Sequence, residues 1–316
     1  MCSSCVLQQL NKQVITERFS LFAEMKILEL LKNSGVVIGN SEVVEEKLRK
    51  LVTDGPDNLQ VIVDFDYTLT RAHKDGVNVD CSWGVLENYK ELPSSYHTKV
   101  RAAKDKYYPI ELDMSISVED KIPVMIEWYR VANSCLAESG VQRSWLPKMV
   151  KESNCELRDD TDKMMEMLDD ANIPVLVMSA GVGDLISEIL KHFNLLKKNT
   201  SVVSNFLQFD DEGNILGLTG DMIHMYNKAE VIQKKSQEGD NSNGSRKNVI
   251  VMGDSLGDLE MAAGVKDPNL ILTIGFLNKN IDTSLPKYRD SFDIVLVDDQ
   301  SMKFPNTLLS DILSKS

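Results

Sequence analysis

The chain has 316 residues, of which 42% are hydrophobic and 26% charged, and its formal net charge is −13. That is the composition of a globular protein long enough for one large domain or two smaller ones. The acidic balance repels nucleic-acid phosphates and excludes broad nucleic-acid binding. No run of about 18 apolar residues exists to span a bilayer, and the first residues lack the basic-then-apolar pattern of a signal peptide. Five scattered cysteines (Cys2, Cys5, Cys81, Cys135 and Cys155) make no disulfide framework. Cys2-x-x-Cys5 has no second pair beside it and reads as incidental. The expectation is a cytoplasmic monomer with no membrane or nucleic-acid partner.

Apolar periodicity predicts helix from about Ser20 to Leu51, through Phe22, Ile27, Leu28, Leu30 and Leu31. It breaks at Gly35 to Asn40, resumes over Glu42 to Lys50, and packs outside the sheet. Asp54-Gly55-Pro56-Asp57 is a turn. Val61-Ile62-Val63 then runs straight into Asp64 and Asp66. A short β-branched run of this kind reads as a buried parallel strand. Acids do not belong inside such a strand, so Asp64 and Asp66 stand at or just past its carboxyl end, where open α/β sheets bind ligands. Side chains at i and i+2 of an extended segment point the same way. Two carboxylates so placed repel unless a proton or a cation intervenes, and a divalent ion with oxygen ligands, such as Mg²⁺, resolves the conflict.

A stretch of roughly a hundred residues without a β pattern follows, too long for a loop inside a compact domain. Its strongest helix is Ser117 to Leu136, with Ile122, Met125, Ile126 and Tyr129 at helical spacing and Ser117 as N-cap. Further helices are expected near Tyr96–Tyr107, Trp145–Glu152 and Thr161–Ala171. Residues 75–155 therefore read as a helical cap inserted over the strand end. Ile173 to Met178 is the second core strand, breaking into Ser179-Ala180-Gly181-Val182-Gly183-Asp184 before a helix through Leu185, Ile189 and Leu190. A strand, small residues and a helix N-terminus make a phosphate seat. Val202 to Ile223 reads as strands around a hairpin tipped by Asp210-Asp211-Glu212-Gly213. Asn227-Lys228 precedes a helix, and Ser236 to Lys247 is a solvated polar loop. Asn248 to Met252 is the third core strand, ending in Gly253-Asp254-Ser255-Leu256-Gly257-Asp258. A helix starting near Ser255 puts Asp254 and Asp258 a turn apart. Leu270–Ile274 and Ile294–Val297 are further strands, and the alternation predicts a mostly parallel α/β sheet.

Parallel strands bring Asp64/Asp66, Ser179 and Asp254/Asp258 to one edge. In that order Asp64-Phe65-Asp66-Tyr67-Thr68, Ser179, Lys228 and Gly253-Asp254-Ser255-x-Gly257-Asp258 resemble the four motifs of the haloacid-dehalogenase-like (HAD-like) phosphohydrolases. Tyr107-Tyr108-Pro109-Ile110-Glu111-Leu112-Asp113, Glu127-Trp128-Tyr129, the Met178–Asp184 turn and Ile274-Gly275-Phe276-Leu277-Asn278 resemble the cytosolic type III (pyrimidine) 5′-nucleotidases. The resemblance runs from about residue 20 to the C-terminus. It implies a Rossmann-like HAD core at 1–74 and 156–316, a cap at 75–155, and a Mg²⁺-dependent 5′-nucleotidase acting on nucleoside 5′-monophosphates through an aspartyl-phosphate.

The resemblance also implies roles. Asp64 is the nucleophile and Asp66 the general acid and base. Mg²⁺ sits on Asp64, the Asp66 carbonyl and Asp254, with Asp258 holding the surrounding groups. Ser179, Ala180, Gly181 and Lys228 bind the phosphoryl group. Glu111 meets the base edge and Trp128 stacks on the ring. The family often has His-Asn where this chain has Trp83-Gly84, and some members have Ser in place of Ala132. Both positions lie in the base-recognition region. CMP, UMP and 7-methylguanosine monophosphate are all candidate substrates, the last because its cationic base suits a carboxylate and an indole. The alternatives are a phosphatase for another small ester and a catalytically silent nucleotide-binding homologue.

Overall fold

The computed structural model describes residues 29–31, 35–113, 115–237 and 246–314. The predicted helix before Glu29, the Cys2–Cys5 pair and most of the Ser236–Lys247 loop lie outside those residues. Strands β1 (Val36–Ile38), β2 (Leu59–Val63), β3 (His73–Lys74), β4 (Val77–Asn78), β5 (Val175–Val182), β6 (Thr200–Asn205), β7 (Leu207–Phe209), β8 (Ile215–Leu218), β9 (Asn248–Gly253), β10 (Leu270–Leu277) and β11 (Ile294–Val297) are described. The helices are α1 (Ser41–Asp54), α2 (Ser82–Glu87), α3 (Ser94–Leu112), α4 (Val118–Ala137), α5 (Leu146–Glu152), α6 (Thr161–Asp170), α7 (Gly183–His192), α8 (Lys228–Gln237), α9 (Ile281–Ser291) and α10 (Lys303–Leu313).

All five residues of β2 are buried. Val61 and Val63 enter one apolar cluster with Leu48, Met164 and Leu308, while Ile62 enters a second with Met178, Val251 and Met261. The two-residue period of the strand thus feeds a layer on each face of the sheet. The sheet has seven strands in the order β1-β11-β10-β9-β2-β5-β6. Its pairings are parallel except β1 against β11. From β2 the chain builds outward to β5 and β6, then crosses back to β9 on the other side. The reversal falls at β2, and ligands bind outside the carboxyl ends at such a point.

One expectation is corrected. Gly35 to Asn40 is not merely a helix break, because Val36-Val37-Ile38 pairs antiparallel with β11, Val36 opposite Leu296. Three β-branched residues favour extension and cover an edge that β11 would otherwise present. The predicted helices between β2 and β5 are present. Ser117 caps α4, its Oγ accepting from the Asp120 amide at 3.2 Å and donating to Asp120 Oδ2 at 2.8 Å. The β7–β8 hairpin lies on α4, where the Leu218 amide donates to Asn133 Oδ1 at 2.7 Å. No described helix is long and apolar enough to cross a membrane.

Arg158 fastens the loop after β2 to the loops after β10 and β11. Its buried guanidinium donates to the carbonyls of Thr68 at 2.7 Å, Tyr67 at 2.5 Å and Asp299, and to Asn278 Oδ1 at 2.8 Å, with Phe276 beneath it at 4.2 Å. Replacing it by an isosteric apolar chain leaves those carbonyls without a donor, at about 1–3 kcal/mol for each buried group left unpaired. R158M is therefore expected to lower stability by roughly 3 kcal/mol. The check is a lower urea midpoint at unchanged slope.

Candidate active site

Asp64 extends the β2 ladder by one bond, its amide donating to the Met252 carbonyl at 2.9 Å. The chain then turns sharply. The Thr70 amide reaches the Phe65 carbonyl at 3.0 Å and the Tyr67 amide reaches Thr70 Oγ1 at 2.8 Å. Tyr67 takes φ +62°, a left-handed conformation costing a residue with a Cβ about 1–2 kcal/mol. Arg158 and Asn278 hold its carbonyl in place. The turn leaves Asp64 buried and Asp66 half-buried.

Lys228 opens α8 and points beneath the strand ends. Its Nζ donates to Asp64 Oδ1 at 2.6 Å, Asp258 Oδ1 at 2.7 Å and the Met178 carbonyl at 3.2 Å. Asn227 shapes the approach, accepting from the His224 amide and donating to the Met222 carbonyl, each at 2.8 Å. The other oxygen of Asp258 accepts from Ser255 N and Oγ, both at 2.9 Å. Gly253 permits this packing, since a Cβ there would lie 2.3 Å from that of Asp258. Asp258 thus has both oxygens engaged within the protein.

Asp64, Asp254 and Asp258 each offer an oxygen within 4.8 Å of the others. Three carboxylates against the one Lys228 ammonium leave two negative charges in excess. Burial raises the Asp64 carboxyl above its usual range; Lys228 opposes the shift, while Asp258 and Asp66 add to it. Asp254 is raised by burial first and then by Asp64 and Asp258. Burial pulls the Lys228 ammonium down, but Asp258 and Asp64 outweigh it and hold it above its usual range. An all-oxygen, over-charged set fits a hard divalent cation such as Mg²⁺.

β5 slips register against β6 between Met178 and Val182. In that interruption buried Ser179 Oγ accepts from the Gly181 amide at 3.0 Å. The Ala180 carbonyl takes three donors: Asn205 Nδ2 at 3.0 Å, Tyr129 OH at 3.1 Å and Trp83 Nε1 at 3.2 Å. Trp83 therefore anchors α2 to the loop, and its ring meets Tyr129 edge-on at 6.2 Å. Asp66 receives two bonds from Ser82, the amide to Oδ1 and the hydroxyl to Oδ2, both at 2.6 Å.

Glu111 lies near the end of α3, its carbonyl accepting from Lys121 Nζ at 2.8 Å. Burial raises its carboxyl from 4.5 to about 7, against Lys121 and Lys279. The Tyr129 hydroxyl, raised first by burial, is raised further by Glu111, Asp66 and Asp64. Tyr129 reaches the Ala180 turn from α4 through its hydroxyl. Trp128 is half-buried, stacked on Tyr107 at 6.0 Å and 22° and edge-on to Tyr108 at 6.4 Å. The structure places it in aromatic packing between α3 and α4.

Asp64, Asp254, Asp258 and Lys228 are thus brought together, with Asp66 beside Asp64 and the Ser179 turn next to them. Glu111 and Trp128 lie on the helical insertion. Sequence reasoning missed Ser82, Arg158 and Asn205. No motif marks them; the only signal for Ser82 is its place just past the loop, in a segment that must fold back over Asp66.

The charge excess gives one expectation. With chelator present, D254N raises the thermal midpoint by the equivalent of about 1 kcal/mol, because it removes a buried like charge. K228M lowers stability by roughly 3–5 kcal/mol, because it leaves buried carboxylates unpaired. Thermal melts in EDTA read both. Glu111 gives another. Its folded pKa of about 7 exceeds the unfolded 4.5, so its contribution is full below the lower value and is lost as pH rises through the higher. E111Q flattens that fall by about 1–2 kcal/mol between pH 5 and 8, allowing for partial exposure. Urea unfolding across that range measures it.

The family model for pyrimidine 5′-nucleotidase (UMPH-1) matches residues 67–313. The 7-methylguanosine phosphate-specific 5′-nucleotidase A of Xenopus laevis is 35% identical over 92% of this chain and 99% of its own. The crystal structure of cytosolic 5′-nucleotidase IIIB bound to cytidine superposes with a TM-score of 0.83 at 36% identity, covering 91% of this chain and 96% of that one. A HAD family hydrolase from Salmonella enterica shares the fold at a TM-score of 0.52 and 16% identity, over 82% of this chain and 74% of its own.

Proposed function

The chain belongs to the pyrimidine 5′-nucleotidase family and is a hydrolase of that class, and from this premise we propose that its acidic rim hydrolyses nucleoside 5′-monophosphates through a phosphorylated Asp64. The observation that carries the reading is the Lys228 ammonium shared by Asp64 and Asp258 beside Asp254. It aims an Asp64 oxygen at the crevice and holds the remaining charge around one point.

An Asp64 oxygen forms a bond to phosphorus while the P–O5′ bond breaks. The electron pair left on O5′ takes the proton of Asp66, releasing the nucleoside. Water then attacks phosphorus, gives its proton to Asp66, and frees the Asp64 carboxylate and inorganic phosphate. The Ser179–Gly181 turn receives the phosphoryl oxygens, and the Lys228 ammonium, its three N–H groups committed to Asp64, Asp258 and the Met178 carbonyl, balances their charge. Asp64, the Asp66 carbonyl and Asp254 would hold Mg²⁺, which supplies charge neutralisation when bound.

Residues 75–155 act as a cap over the core of 1–74 and 156–316, with the β7–β8 hairpin braced on α4. The cap side carries base choice. Glu111 recognises the base edge, and the Trp128 cluster supplies an aromatic face. Relatives of this chain are named for 7-methylguanosine phosphate, and a structural neighbour holds cytidine. Both bases present positive or donor edges to a carboxylate.

Initial rates on CMP, UMP, GMP and 7-methylguanosine monophosphate, with Mg²⁺ and with EDTA, test the reading. Turnover of CMP or 7-methylguanosine monophosphate that EDTA abolishes is expected. D64N is expected to lose at least 10³-fold in kcat while keeping its melting profile. Retained turnover in D64N overturns the assignment of the nucleophile.

A further inference from the structure

We propose that Ser82 is a positioning residue for the Asp66 proton transfer and ties that transfer to the seating of the helical insertion. Its hydroxyl donates to Asp66 Oδ2 and its amide to Oδ1, both at 2.6 Å. A single residue therefore grips both carboxyl oxygens and fixes the plane of the group. The hydroxyl in turn accepts from the Val182 amide at 3.1 Å. The amide takes one acceptor site of the hydroxyl and leaves its hydrogen free for Asp66 Oδ2 when that carboxyl is ionised. Ser82 is fully buried and opens α2, the first helix of the insertion. One hydroxyl thus joins the nucleophile loop, the Ser179 turn and that helix.

The turn is shaped around this contact. A Cβ on Gly181 would lie 2.1 Å from Ser82 Oγ and 2.6 Å from Asp66 Oδ2. Any side chain there drives the pair apart. Trp83, the next residue of α2, adds its own bond to the Ala180 carbonyl. Seating α2 on the turn therefore sets Ser82 against Asp66.

The inference rests on the phosphohydrolase reading above, and leaving-group dependence separates the two. Departure of a ribose oxygen needs a proton, whereas an aryl ester with an acidic phenol leaves without one. The value of kcat/KM reports the steps through departure of that group. In S82A the plane of Asp66 is no longer fixed. The ratio of kcat/KM on nucleoside monophosphate to that on p-nitrophenyl phosphate is expected to fall about tenfold relative to wild type. G181A, which forces the same pair apart from the other side, is expected to lower the ratio in the same direction. An unchanged ratio in S82A, whether both rates fall together or neither falls, overturns the role of Ser82. The melting temperature reports folding in each variant. A wild type that turns over neither ester overturns the phosphohydrolase reading instead.

Discussion

A lysine at the first residue of a helix stands against the helix dipole, whose positive end it adds to. Lys228 occupies that position and is only 3% exposed. What makes it stable is the pair of carboxylates on either side, Asp64 and Asp258, each within 2.7 Å. The dependence is mutual. Without the ammonium, those acids would be buried against each other and against Asp254, a placement that costs several kcal/mol. Without the acids, the ammonium would leave the interior. The site is a charge arrangement first, and the sheet is the frame that brings its members to one edge.

The arrangement is deliberately incomplete in charge. One ammonium faces three carboxylates, and a phosphate monoester brings further negative charge to the same crevice. The all-oxygen donor set suits a hard divalent cation, and burial first, then Asp64 and Asp258, raise the Asp254 carboxyl. Asp258 takes no further part in that search for charge, since Lys228, Ser255 N and Ser255 Oγ already use its two oxygens. Its bonds to Lys228 and Ser255 fix α8 relative to the turn after β9.

Much of this was legible in the chain itself. β-Branched runs that end in polar residues announce buried strands with a polar edge, and Val61 to Asp66, Ile173 to Ser179 and Asn248 to Asp254 all do so. The helix of Val118–Ala137 showed in its period and its Ser117 cap. Edge strand β1 did not, because three β-branched residues beside a helical pattern read equally as an interruption. Arg158 and Ser82 were invisible for a different reason. Each acts through backbone carbonyls, an amide or one carboxylate far away in sequence, and such partners leave no periodicity. A buried arginine that satisfies four acceptors looks, in sequence, like any exposed arginine.

On the proposed reading, the two ends of the substrate are handled by parts of the protein with different mechanical properties. The phosphoryl end meets strand ends and a tight turn held by Arg158, buried groups with little freedom. In that reading the base end meets Glu111 and Trp128, half-buried on an insertion whose helices are tied to the sheet by polar contacts. Three of those contacts converge on the Ala180–Val182 turn: Trp83 and Tyr129 on the Ala180 carbonyl and Ser82 on the Val182 amide. That turn also borders the phosphoryl seat. On the proposed reading, these contacts give base recognition on the insertion a short path to the reacting centre. In that reading binding at Glu111 favours a seated insertion, seating places Ser82, and Ser82 fixes the plane of Asp66. A base that engages Glu111 poorly then loses turnover as well as affinity, so discrimination between bases is expressed in the chemical step even though no base atom approaches the phosphorus.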